Sequence, residues 1–167
     1  AAADVARIIS ICLEPKPEVA AAIGSAPVYV TSGATPLEGL PGRTICGDVD
    51  PSLPGLLLRK GYGPESIDEI LSRQSGLCAL VGRETDFDEV LAAPDEDCAK
   101  AREYFLYRLL QSCGAATAAM GGLDAVVVFG RAARLSALVV GARRADVQDC
   151  EYLRGKDVFE TGQALRR

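Results

Sequence analysis

The feature that most constrains the fold is the apolar run LDAVVVFG, from Leu123 to Gly130. The run is continuous and glycines bound it on both sides. Strands buried on both faces have this pattern, whereas strands with one wet face alternate apolar and polar residues. Because such strands occur mainly in sheets covered by helices, the run predicts a buried strand of an α/β protein.

Three more strands are predicted at the start of the chain. The segment VARIISICLE (5–14) is rich in isoleucine and valine, and the prolines of PKPE (15–18) force a turn after it. VAAAIGSAPVYVTSG (19–33) then contains a weak strand, a Gly-Ser turn and a stronger strand at PVYVTS. We therefore expect a mixed sheet that starts with a three-strand meander and is flanked by helices.

Helices are predicted between the meander and the buried strand. PSLPGLLLRKG (51–61) favours a short helix ended by Gly61, and GPESIDEILSR (63–73) one with Pro64 in its first turn. The longest helical pattern runs from Asp95 to Met120. We expect its buried side to carry Tyr104, Phe105, Leu109 and Cys113.

The end of this long helix, CGAATAAMGG (113–122), consists almost wholly of small residues, which suit either tight core packing or a seam between subunits. RAARLSALVVGARR (131–144) predicts a further helix. We expect one domain over residues 1–145, followed by a tail of uncertain structure over 146–167.

The charge composition restricts the partners. The net charge of −5 leaves no basic face for a phosphate backbone, so a nucleic-acid partner is not expected. No apolar run reaches the roughly 18 residues of a membrane span. The alanine-rich start also lacks the pattern of a signal peptide. These patterns predict a cytoplasmic protein without a membrane partner.

Cysteine and histidine usage restricts the chemistry. The six cysteines are widely spaced, with no CxxC pair and no histidine to complete a zinc site. We expect them to be buried, reduced thiols, and we predict no metal site. Without histidine, any chemistry must rest on carboxylates, arginines, lysines or backbone amides.

Two short motifs, TPLEGL (Thr35–Leu40) and GDVDP (Gly47–Pro51), lie between the meander and the first predicted helix. With SIDEILSRQSGL (66–77) and REYFLYRLLQSCGAATAAMGGLDAVVVF (102–129), they resemble the second lobe of the acetate and propionate kinase family. There the corresponding stretch reads TPLEGL and then TRSGDIDP. The resemblance ends near Phe129, and no counterpart to the family's last strand and helix is found after it.

The resemblance implies one lobe of the sugar kinase, Hsp70 and actin fold, which is ribonuclease H-like. It also implies transfer of the γ-phosphoryl of ATP to a carboxylate, with Mg²⁺, and a dimer formed through the second lobe. ATP and Mg²⁺ are expected only if that activity is retained. The partner implied is a second copy of the chain, or a first lobe to which nothing in this sequence corresponds.

The two motifs imply the scaffold of a phosphotransferase loop, formed by Thr35, Pro36, Glu38, Gly39, Gly47, Asp48 and Asp50. Asp48 and Asp50 are interpreted as turn formers that accept backbone amides, with metal ligation as the alternative. The family's phosphate-stabilising arginine aligns with Ile45. Arg43 lies two positions earlier and would be catalytic only if the loop were rearranged, and no other catalytic residue is predicted.

The nucleotide motifs depart from the family in three places. The family's H-x-G-N-G loop is replaced by Cys12–Lys16, where Pro15 removes an amide donor and Glu14 adds a negative charge that Lys16 can offset. In the family's S-S-D-x-R segment, Asp86 is kept and Asp88 replaces the arginine. Asp86 is equally a candidate N-cap of a helix that starts at Asp88. The family's A-G-I-G-E-N aligns with residues 130–135, in which Arg131 and Arg134 have an alternative interpretation as a solvated helix face. The nucleotide or phosphate candidates are Lys16, Asp86, Gly130, Arg131 and Arg134.

Three functional hypotheses follow. In the first, the chain is a non-catalytic family domain that acts as a dimerisation or regulatory module. In the second, it binds a nucleotide or another anion in a changed pocket using Lys16, Arg43, Arg131 and Arg134. In the third, it is half of an active kinase that another lobe or chain completes.

Overall fold

Five strands form one mixed sheet. The computed structural model describes residues 5–14 and 16–130 and the backbone of 151–154. Strands β1 (Arg7–Cys12), β2 (Glu18–Ile23) and β3 (Ala26–Val30) form the predicted antiparallel meander. Strands β4 (Ala125–Phe129) and β5 (Glu151–Arg154) extend the sheet in parallel from β1, in the order β3-β2-β1-β4-β5. The expected α/β fold is confirmed.

Burial in the sheet alternates along the strands. Ile9 and Ile11 in β1 are buried, as are Val19 and Ala21, their partners in β2. Val128 pairs with Ile11 and is the buried residue of β4, whereas Phe129 is 45% exposed. The expectation that this strand is buried on both faces is therefore wrong, because one face of the sheet carries the buried residues and the other is only half-covered.

Five helices lie between β3 and β4, and the sequence explains several of their ends. They are α1 (Leu53–Arg59), α2 (Pro64–Arg73), α3 (Gly76–Val81), α4 (Phe87–Ala92) and α5 (Glu96–Met120). Proline lies in the first turn of α1 and of α2, where its missing N–H costs nothing. Gly61 ends α1 at φ +92°, with the Tyr62 N–H donating to the Leu57 carbonyl, as in a Schellman motif.

The chain divides into two compact units. One comprises residues 1–31 and 109–167 and contains the sheet, with the second half of α5 contributing buried Leu109, Ala116 and Met120. The other, residues 32–108, contains α1 to α4 and the first half of α5. Phe87 and Phe105 meet edge to face in its core, with ring centroids 5.0 Å apart.

Two sequence expectations for the helices need correction. Tyr104 was expected beside Phe105 on the buried side of the long helix, but it is 40% exposed, since consecutive helical residues point about 100° apart. The helix expected from Asp88 begins instead at Phe87, with Asp86 at its N-cap position.

An ion pair holds the start of β1 to the turn before β4. The Arg7 guanidinium donates to both carboxylate oxygens of Asp124, at 2.7 and 3.0 Å, and to the Gly121 carbonyl at 3.0 Å. The Arg7 backbone N–H also donates to Asp124 at 2.7 Å. These contacts lower the pKa of Asp124 to about 2.

The expectation that the cysteines are buried is met only in part. Of the cysteines in the described part, Cys98 is buried and four are half-buried, and all five are free thiols: Cys12, Cys46, Cys78, Cys98 and Cys113.

In the described part of the chain, no helix has the length and apolar character needed to cross a membrane. Nothing in the sequence predicted β5, which falls within the tail. The helix predicted over 131–144 lies outside the described residues.

Candidate functional site

The carboxyl edge of β1 and β4 is the first candidate region. Because the two strands are parallel, both end at this edge, which is where open α/β sheets bind ligands. The chain leaving β1 turns there with Leu13 fully buried. The Leu13 N–H donates to the Phe129 carbonyl at 3.1 Å, and the Cys12 thiol donates to the Glu14 carbonyl at 3.3 Å.

Gly130 packs closely on the same turn. Its φ is +99°, and an added Cβ would lie 2.8 Å from the Glu14 oxygen and 3.0 Å from the Glu14 nitrogen. Only glycine permits this approach of two backbones. The structure therefore brings Gly130 to the turn that leads into Lys16, whereas Arg131 and Arg134 lie outside the described residues.

The loop between β3 and α1, in the second unit, is the other candidate region. Asp48 holds it closed, since the Gly39 N–H donates to the Asp48 carboxylate at 2.8 Å and the Asp48 N–H donates to the Gly39 carbonyl at 2.9 Å. Gly47, at φ +70°, has no space for a side chain because its Cβ would lie 2.6 Å from the Pro41 nitrogen. From α5, Arg108 donates to the second Asp48 oxygen at 3.0 Å.

Asp50 fixes the exit of this loop. Its carboxylate accepts the Ser52 N–H at 2.8 Å, and its carbonyl accepts the Leu53 N–H at 2.9 Å. The hydrogen bond from Ser52 lowers the pKa of Asp50 below its usual range. Both Asp48 and Asp50 therefore accept backbone amides in the structure.

The TPLEGL motif forms a turn within the loop. The Leu37 N–H donates to the Thr35 hydroxyl at 3.3 Å, and the Glu38 N–H donates to the Thr35 carbonyl at 3.4 Å, with Pro36 between them. The Glu38 carboxylate folds back over Gly33 and fills the space that a side chain there would need. The motif therefore shapes the loop through contacts among its own residues.

Residues 42–46 are bound to α2 and α3 by their backbone. The Leu77 and Cys78 N–H groups donate to the carbonyls of Gly42 and Arg43, at 3.0 and 2.8 Å. The Ser75 N–H donates to the Thr44 carbonyl at 3.0 Å, and the Cys46 N–H donates to the Leu71 carbonyl at 2.9 Å. This segment cannot shift without breaking the cap of α3.

Arg43 points to the turn between α3 and α4. Its guanidinium donates to Glu84 at 3.2 Å, and this contact raises the pKa of Arg43, with a smaller contribution from the charge of Asp86. Arg43 and Asp86 therefore lie in one neighbourhood. Asp86 itself is exposed, and its side chain makes no capping bond to α4.

The sequence did not predict two residues that form ion pairs with candidate site residues. Glu84 pairs with Arg43 from 41 positions away, and Arg108 pairs with Asp48 from 60 positions away. No local pattern marks either pair. A cavity of about 430 Å³ was missed as well; it lies beside the Arg43 region and is lined in part by Thr44, Arg73, Cys78, Arg83 and Glu84.

Comparison with solved structures defines the class. A propionate kinase from Francisella tularensis matches 90% of this chain and 46% of its own, with a TM-score of 0.76 and 22% identity. The Porphyromonas gingivalis acetate kinase matches 83% of this chain and 37% of its own, with a TM-score of 0.73 and 30% identity. The fold is that of the sugar kinase, Hsp70 and actin class.

The chain belongs to the acetokinase family, whose sequence model matches residues 2–148, beyond the end of the resemblance near Phe129. The acetate kinase of Moorella thermoacetica is 39% identical over 137 residues, which cover 79% of this chain and 34% of that protein. The chain thus spans about a third of the length of the curated relatives it matches.

Proposed function

We propose that this chain is a second-lobe domain of the acetokinase family that does not transfer phosphoryl groups and acts as a scaffold for assembly or regulation. The observation that carries the proposal is the backbone after β1. Phosphoryl transfer depends on amide and cationic donors aimed at the moving group, and this turn has few amides to offer.

The turn does not fit a phosphate. Of residues 13–17, Pro15 and Pro17 have no N–H, and the N–H of Leu13 is bound to Phe129. Gly130 is packed on the backbone of Glu14 rather than leaving room above it. If the family's phosphate-binding loop corresponds to this turn, as the sequence resemblance implies, the loss of these donors supports a non-catalytic role.

The loop between β3 and α1 supports the same proposal. Ile45 occupies the place of the family's arginine, and its carbonyl accepts the Gly42 N–H at 3.1 Å. Arg43 is the nearest cation in sequence, but its carbonyl caps α3 and its side chain pairs with Glu84. Loss of one transition-state donor typically costs about 3 to 4 kcal/mol, so the combined changes would suppress transfer strongly.

Nucleotide and Mg²⁺ binding have little support in the described residues. Asp86 is kept, but Asp88 stands where the family has arginine, and negative charge there opposes a nucleotide. Within those residues, no three histidine, cysteine or acidic side chains form a cluster that could hold a metal ion by protein ligands alone. We therefore assign no step to either group.

The alternative is that a separate first lobe completes an active kinase. It is favoured by the chain's match to about a third of its relatives' length and by the ordered loop around Asp48. In that case the remaining donors would come from the other polypeptide.

An assay for acyl phosphate, trapped as the hydroxamate, separates the two possibilities. The chain is incubated with acetate or propionate, ATP and Mg²⁺, alone and with the separately expressed first lobe of the Moorella thermoacetica acetate kinase. The full-length relative is the positive control. We expect background signal in both mixtures.

Turnover by the chain alone, abolished by Arg43→Ala, would overturn the proposal. Turnover only with the first lobe would establish the alternative.

A further inference from the structure

The cavity of about 430 Å³ lies against α3, within the unit of residues 32–108. Arg73 ends α2 just before this helix and Arg83 follows the helix, and both arginines line the cavity. Because α3 has six residues, about 9 Å of helix separates the two positions. The wall between them consists of small residues at helical spacing: Ser75, Cys78, Ala79 and Gly82. The cavity therefore has an arginine at each end of the helix that lines it.

A third guanidinium group reaches the Arg83 end of the cavity. Arg43 donates to Glu84 at 3.2 Å, and Glu84 lines the cavity. The backbone of Arg43 is held in place, because its carbonyl accepts the Cys78 N–H at 2.8 Å. Arg43 therefore meets the cavity through the carboxylate of Glu84.

Glu84 is the only acid among the described residues that line the cavity. Its side chain is 85% exposed, so its ion pair with Arg43 contributes little to the stability of the fold. The acids that pair with the other two arginines lie outside the lining: Glu69 for Arg73, and Glu89 and Asp95 for Arg83. The Glu84 carboxylate can thus move aside while those pairs stay intact.

We propose that this cavity binds a small dicarboxylate, and that Glu84 is a built-in competitor that occupies Arg43 until the ligand displaces it. Guanidinium groups bind carboxylates through paired hydrogen bonds. Arginines at both ends of α3 therefore favour a ligand with an acid group at each end. Acetate and phosphate carry their charge at one point and would engage one end only.

The residues of this cavity differ from those of the carboxyl edge of β1 and β4. None of them belongs to those strands or to the turn after β1. Arg73 and Arg83 lie outside the segments to which the resemblance assigns phosphate or nucleotide, and Glu84 alone falls within one. The proposal goes beyond the loss of phosphoryl transfer proposed above and does not depend on it.

Calorimetric titration with succinate, at constant ionic strength, measures binding to the 167-residue chain and to three variants. Glu84→Gln removes the competitor, and Arg73→Gln removes one cation. Glu103→Gln, at an exposed position of α5, is the control with the same change of charge. Acetate is the monocarboxylate comparison, and circular dichroism confirms that each variant is folded.

We expect saturable binding of succinate to the wild type and a higher melting temperature in its presence. Glu84→Gln should bind succinate about three- to tenfold more tightly, because the ion pair no longer competes and one repulsive charge is gone. Arg73→Gln should bind it at least about threefold more weakly, and Glu103→Gln should match the wild type. Acetate should bind at least about tenfold more weakly than succinate.

The proposal would be overturned if Glu84→Gln showed no saturable binding of succinate, or if its affinity equalled that of the wild type. An equal gain in Glu103→Gln would attribute the effect to net charge and would overturn it as well. An unchanged affinity of Arg73→Gln, or acetate bound as tightly as succinate, would exclude a ligand that spans α3. The hydroxamate assay tests phosphoryl transfer separately, since it does not involve succinate.

Discussion

Asp48 contributes to the protein mainly as an acceptor that closes the loop before α1. Its carboxylate satisfies the buried Gly39 amide at 2.8 Å and pairs with Arg108 at 3.0 Å. We expect Asp48→Ala to lower the free energy of unfolding by about 1 to 2 kcal/mol, because it leaves the Gly39 N–H unsatisfied. Arg108→Ala should cost only about 0.5 kcal/mol, since the ion pair is partly exposed.

Urea denaturation measures both changes. Asp48→Asn keeps an oxygen for the Gly39 amide and should be close to Arg108→Ala in stability. If Asp48→Ala were as stable as the wild type, the loop would not depend on this carboxylate.

Asp124 gives the protein a specific response to acid. Its pKa, about 2 in the folded protein, lies below the value of about 4 that an unfolded aspartate has. The contact with Arg7 therefore stabilises the fold above about pH 4, and this contribution is lost as the pH falls from about 4 to 2. The midpoint of urea unfolding should decrease over that interval.

Asp124→Asn removes this titration, so its midpoint should be lower than that of the wild type at pH 6 and should change less between pH 5 and 2. Identical pH profiles for the two proteins would show that the pair does not shift the Asp124 pKa.

The start of α3 depends on Gly76, which is surrounded by carbonyl groups of the loop. Its φ is +65°, and an added Cβ would lie 2.7 Å from the Ile45 oxygen and closer still to the Gly42 oxygen. We expect Gly76→Ala to cost about 3 kcal/mol, through left-handed strain and displacement of the loop.

Gly82, at the other end of α3, is the control. Its φ is +77°, but an added Cβ would meet nothing within 4 Å, so Gly82→Ala should cost only about 1 to 2 kcal/mol. Thermal unfolding compares the two variants, and equal losses would contradict the packing of residues 42–46 on α3.

Helices and strands with strong local patterns were predictable. The meander, α2 and α5 follow from β-branched runs, a proline at a helix start and a long amphipathic repeat. β5 was not predictable, because the four residues EYLR show little strand pattern and join the sheet by pairing with β4. α3 was also missed as a separate helix, since it has only six residues and depends on contacts with the loop.

The parts of the candidate site that depend on local backbone preferences were predictable. Gly47 and the two aspartates could be assigned to turns because glycine and aspartate have strong local preferences. The pairing of Arg43 with Glu84, and of Asp48 with Arg108, could not, since long-range ion pairs leave no pattern in a single sequence. The predicted roles of Lys16, Arg131 and Arg134 stay predictions.

For the molecule as a whole, we propose that an acetokinase fold is combined with a turn that does not hold phosphate. Family membership is compatible with both a working kinase and a scaffold, so the fold alone does not decide between them. What distinguishes them is whether the carboxyl edge of β1 and β4 holds an anion.

Calorimetric titration of the chain with ATP and Mg²⁺, and then with acetyl phosphate, measures whether this edge binds an anion. Ligands that bind only the native state would also raise the melting temperature. We expect no saturable heat and no shift in melting temperature. Saturable binding that is lost in Lys16→Gln but kept in Lys100→Gln, on the exposed side of α5, would contradict it.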